Sequence, residues 1–101
     1  MNLEELEALE KTKNNGRGVS CVNTALFYLR QGDKQSAFAV CMNESDKISS
    51  YPDLKLGLFD LIPAYEASLT ATAKAFNWKN PRQALLEKTS QKTTNHQIEI
   101  E

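Results

Sequence analysis

Apolar residues recur along this chain at helical rather than strand spacing. Leu3, Leu6 and Leu9 stand three apart among glutamates, which predicts a short amphipathic helix over about residues 2–12. Lys13 to Gly18, with Asn14-Asn15-Gly16 inside it, reads as a loop. From Ser20, a candidate helix cap, a second helix is predicted to about residue 31. Its apolar positions form two adjacent stripes, Cys21/Ala25/Tyr28 and Val22/Leu26/Leu29, with Phe27 off both. A helix apolar over so much of its circumference needs neighbours on at least two sides, so it belongs at the centre of a bundle.

Gly32 and Asp33 mark the next boundary. Glycine takes the left-handed conformation that ends a helix, and aspartate accepts from the first open amides of the following one. A third helix is predicted over about 33–48, carrying Ala37, Cys41 and Ile48 with Phe38 and Met42 beside them. The small Ala37 lets two antiparallel helices approach closely. Tyr51-Pro52-Asp53 starts a fourth helix, about 52–62, with Leu54, Leu58, Leu61 and Ile62 inward and Leu56 opposite. Pro63 interrupts it. A fifth, about 63–77, has the stripes Leu69/Ala73/Phe76 and Ala64/Ser68/Ala71/Ala75, whose alanines suit close helix packing. Asn80-Pro81-Arg82-Gln83 opens a short sixth helix, about 81–89. The pattern predicts an all-α fold: a small bundle of five or six short helices around a central helical hairpin. One domain is expected over 1–88, with a polar, flexible tail over 89–101.

Composition narrows the setting. With 101 residues, 41% apolar and 25% charged, the chain supports one packed core. Its net charge of −1 gives no general attraction to polyanions or membranes. Locally, Glu4, Glu5, Glu7 and Glu10 make an acidic start. Lys74, Lys79, Arg82, Lys88 and Lys92, opposed only by Glu87, make a basic stretch. No apolar run approaches the roughly 20 residues of a membrane helix, and the acidic N-terminal stretch does not resemble a signal peptide. Cys21 and Cys41 are expected to be reduced thiols in a cytoplasmic protein.

Candidate chemistry is sparse. The single histidine, His96, falls in the polar tail. Cys21 and Cys41 have no further nitrogen or sulfur ligands at suitable spacing, so no metal is expected. Gly16-Arg-Gly18 is too short for a phosphate loop and follows no strand. Asn43-Glu-Ser45 matches a glycosylation acceptor without a secretion signal. No ordered histidine stands ready to activate a serine. The chain is therefore expected to be non-enzymatic and without a cofactor.

Two stretches resemble known families. Tyr28-x-Arg-Gln-Gly32-Asp33-x-x-x-Ala37-Phe38, with Ala25 before it, resembles the middle of a tetratricopeptide repeat. The likeness covers about residues 25–41. Glu44 and Ser49 stand where the family has a small residue and proline, and no second copy of the roughly 34-residue unit follows. The resemblance implies a groove formed by Val22, Leu26 and Leu29, with Arg30, that holds a peptide. Ala73-Lys-Ala-Phe76-Asn77-Trp78-Lys-Asn80-Pro81-Arg82-Gln-Ala84-Leu85 resembles a helix-turn-helix, and more narrowly the Asn-Pro-Arg stretch of BRO-type domains of phage antirepressors. Gln83 stands where an apolar residue is usual, and the flanking strands of the BRO family are missing. That resemblance implies Arg82 and Gln83 at base edges and Lys79 at a phosphate.

The leading expectation is a small protein–protein interaction or accessory protein acting through a helical surface. Phe27, Arg30 and Leu56 are its candidate contact residues. The surplus apolar positions Phe27 and Leu56 predict a homodimer. The alternatives are a DNA-binding regulator using residues 68–88, through Lys79, Arg82 and Gln83, and a small-molecule binder between helices.

Overall fold

The computed structural model describes residues 1–89. These residues form an all-α bundle. Helix α1 (Leu3–Lys11) is closed by a reciprocal cap. The Asn2 side chain accepts from the Glu5 amide (2.8 Å), and the Glu5 carboxylate accepts from the Asn2 amide (3.0 Å). A loop with left-handed residues Asn14, Asn15, Gly16 and Gly18 leads to α2 (Ser20–Arg30). The cap expected of Ser20 is not the one used. Val19 is the N-cap, and Ser20 is the first helical residue. The Val19 amide instead donates 2.8 Å to the carboxylate of the buried Glu10, which reaches across from α1.

The α2–α3 hairpin forms as the sequence predicts. Gly32 has φ +77°, and the Asp33 amide returns to the Tyr28 carbonyl at 2.9 Å. Asp33 caps α3 (Lys34–Asn43) by accepting from the Ser36 amide (3.0 Å) and hydroxyl (2.6 Å). These bonds to its charged form hold the Asp33 carboxyl below its usual range. Ala25 and Ala37 are fully buried, and α2 and α3 make the most extensive helix contact among the described residues. Helix α2 also touches α1 and α4, which makes it central.

The third predicted helix is two. The chain turns at Glu44 (φ −109°, ψ 19°), separating α3 from the single turn α4 (Ser45–Ile48). The break swings Ser45 onto Tyr65, hydroxyl to hydroxyl at 2.9 Å, while Ile48 is fully buried. Helix α5 (Pro52–Leu61) crosses α1 closely because Gly57 lies against Leu6. A Cβ at Gly57 would stand 2.6 Å from Leu6 Cδ1. Ile62 bends the chain into α6 (Pro63–Ala75), which ends two residues earlier than expected. The alanines of its second predicted stripe do not pack inward, since Ala64, Ala71 and Ala75 face solvent, whereas Ala73 is buried. Helix α7, residues 81–89, is capped by Asn80, which accepts from the Gln83 amide at 3.1 Å, and it buries Leu85.

No helix among the described residues is long and apolar enough to cross a membrane. The expected flexible tail beyond residue 89, including His96, lies outside the described residues.

Candidate functional site

One face of α6 is apolar at a seven-residue repeat: Ile62, Leu69 and Phe76, with Tyr65 and Thr72 between them. Ile62, Tyr65 and Ala73 are buried and Leu69 is half-buried, whereas Thr72 and Phe76 are exposed. The face is thus covered as far as Ala73 and open at Phe76.

The turn after α6 extends this open end. Asn77 takes the left-handed position (φ 55°), where the sequence pattern places a helix terminator, and the Trp78 amide returns to the Ala73 carbonyl at 2.7 Å. The chain reversal lays the indole on the Phe76 ring, centroids 5.0 Å apart and planes 23° from parallel. Both side chains are 63% exposed, and Leu86 on α7 is 43% exposed. Lys74 is exposed nearby on α6. At the opposite end of α6, an almost wholly apolar groove of about 210 Å³ is lined by Phe38, Ile62, Pro63 and Ala64 with the stems of Lys34 and Gln35.

The residues expected to meet a partner lie elsewhere. Phe27 is half-exposed and packs edge-on to Tyr28 (5.6 Å). Arg30 is tied to Glu7 of α1 at 2.8 Å. Leu56 is not the outlying residue the helical wheel suggested, because it packs against the core. Phe27 and Arg30, three residues apart, share a face of α2, and Leu56 lies on α5.

The residues expected to face DNA are all engaged within the molecule. Arg82 holds Glu66 with two parallel bonds (Nε–Oε2 2.7 Å, Nη2–Oε1 2.9 Å) and Asp60 with a third (3.0 Å). Those bonds raise the Arg82 pKa further and hold the Glu66 carboxyl below its usual range. Burial pulls Asp60 up, but bonds from the Met1 amino group and Arg82 outweigh it and keep Asp60 low as well. Lys79 is bonded to Glu87 at 2.6 Å, and the Gln83 amide also points to Glu87 at 3.4 Å. Arg82 is therefore a brace between helices rather than a projecting side chain.

Two buried charges went unseen in the sequence. Glu10 follows Leu6 by one helical turn, and Lys55 sits between Leu54 and Leu58, so each lies beside the predicted core face. The Lys55 ammonium donates to the Ser49 hydroxyl at 2.6 Å and lies 5.9 Å from the Tyr65 ring centre. Burial lowers its pKa. The Ser49 hydroxyl donates to the Ser45 carbonyl (2.9 Å) while accepting from the lysine, and the chain of bonds closes the end of α4. Burial pushes the nearby Cys41 thiol and the Tyr65 phenol up to about 12.

A cleft of about 550 Å³ opens between the start of α2 and α4, bordered by Cys21, Thr24, Val40, Asn43, Lys47 and Tyr51. Burial raises the Cys21 pKa, so this thiol is a weak nucleophile. Among the described residues no three His, Cys, Asp or Glu side chains gather as a metal site. Comparison with family models, curated proteins and solved structures found no match.

Proposed function

We propose that this protein is a small interaction module whose contact surface is the open end of α6 and the turn that follows it. The stacked Phe76–Trp78 pair carries the reading. Two large rings, each 63% exposed, lie together on an ordered turn. Aromatic side chains lose little conformational freedom on binding and are common anchors of protein interfaces. The site first read at Phe27, Arg30 and Leu56 thus moves to Phe76 and Trp78. The DNA alternative loses the observation that prompted it, since Arg82, Lys79 and Gln83 each meet a carboxylate.

The test compares proteins retained from host lysate by the parent chain and by a Phe76→Ser/Trp78→Ser double variant. A discrete set, which can include the untagged chain itself, is expected on the parent and lost on the variant. Identical retention by both refutes the reading.

A further inference from the structure

Resting on that reading, we infer that the partner is a second copy of this chain, docked antiparallel along α6 so that each Phe76–Trp78 pair covers the other copy's groove at Phe38, Ile62 and Pro63.

Three observations meet in this arrangement. An uncovered aromatic pair stands at one end of α6, and an unfilled apolar groove stands at the other. The groove holds about 210 Å³. An apolar cavity of roughly 150 Å³ accepts benzene, so there is room for one ring. Between the two ends runs the line Ala64, Ser68, Ala71 and Ala75, exposed except for the half-buried Ser68. Its spacings of four, three and four residues read the same in both directions. Two such lines laid antiparallel pair Ala64 with Ala75 and Ser68 with Ala71. Phe76 then falls opposite Pro63, at the lip of the groove. Small side chains let the two backbones come close along the whole seam.

Area shows why the seam must take part. Large aromatics bear roughly 150–250 Å² each, so this pair offers on the order of 250 Å² per copy. A standard interface buries about 800 Å² per partner. The rings alone fall well short, and α6, about 20 Å long by its helical rise, is the continuous exposed element joining them to the groove.

The test uses the intact chain. Sedimentation equilibrium from low to high micromolar concentration is expected to show a monomer–dimer transition. Trp78 is the only tryptophan, so its emission should shift to the blue over the same range. Ala71→Glu, at an exposed position, should weaken dimerisation at least about tenfold, a loss of 1.4 kcal/mol, while its melting temperature matches the parent's at concentrations where both are monomeric. On mild oxidation, the Ala64→Cys/Ala75→Cys double variant should form a covalent dimer that neither single variant forms. Three results overturn the inference: a monomer with unshifted emission at the highest concentration, a dimer indifferent to Ala71→Glu, or efficient cross-linking of Ala64→Cys alone. If the chain stays monomeric while lysate proteins are still lost on replacing Phe76 and Trp78, the second copy is wrong and the interaction surface stands.

Discussion

Glu10 and Gly18 show how a single residue acquires a meaning its type does not announce. The Glu10 carboxylate is buried and receives the Val19 amide, so it orders the entry to α2. Gly18 has φ +76°, and a Cβ there would lie 2.0 Å from Glu10 Oε2. Gly32 has nearly the same φ but open space around its Cα. The pair separates two costs. Gly32→Ala should lose only the left-handed strain, about 1–2 kcal/mol. Gly18→Ala should add a displaced charged hydrogen bond worth about 1.5–3 kcal/mol. Urea denaturation of both variants checks this; equal losses would show that Glu10 moves without cost. Alkali tests the buried cluster. Cys41 and Tyr65, ordinarily at 9.0 and 10.0, sit at about 12 in the folded chain. Their folded values are raised, so the stability they carry is whole below pH 9 and is lost as pH climbs toward about 12, by about 1.4 kcal/mol per pH unit per group. Lys55 is depressed below 10.5 and acts in the opposite sense, gaining stability as pH rises toward that value. Thermal melts against pH should therefore fall steeply beyond pH 9. Tyr65→Phe should soften the fall, and Lys55→Met should remove the opposing gain.

At the scale of elements, the legible parts were those governed by local chemistry. Gly32, Asp33 and Asn80 act where sequence placed them, because a left-handed glycine and a side-chain cap need only their immediate neighbours. The α2–α3 crossing was legible too, from Ala25 and Ala37. Ala37→Leu should overpack it and cost about 1–3 kcal/mol; unchanged denaturation would show that the helices can part. What sequence missed were features that long-range partners decide. The break at Glu44 depends on Tyr65, twenty residues away, receiving Ser45. Leu56 looked superfluous on its own helix yet finds cover from the rest of the core. The candidate site was half legible: Phe76 and Trp78 stood out as apolar, but periodicity assigned Phe76 to the inner stripe. Only the packing shows that this stripe is covered as far as Ala73 and bare at Phe76.

Across the whole molecule, Arg82 decides how firmly the last helix is joined to the rest. Helix α7 buries one residue below a tenth exposure, Leu85. Its other strong tie is the Arg82 side chain, which reaches Asp60 on α5 and Glu66 on α6 and lies 5.8 Å from the Phe59 ring centre. An apolar anchor and a charged brace hold α7 against a bundle that has its own core, so α7 should open before the bundle melts. Both carboxyls of the brace have folded values below their ordinary 3.8 and 4.5. A depressed carboxyl contributes stability that is present above its unfolded pKa and lost as pH falls through the folded one. The groups are partly exposed, so salt and solvent keep the contribution small. The expected outcome is local. Amide exchange in residues 81–89 should speed up below about pH 4 while exchange in α2 stays slow, once intrinsic rates are corrected for pH. Arg82→Met should produce the same acceleration at neutral pH and abolish its acid dependence. Leu85→Ala should loosen α7 at every pH yet leave the acid dependence in place, because it removes the anchor and spares the brace. If Arg82→Met leaves exchange in α7 unchanged, the brace carries no weight and Leu85 alone secures the helix.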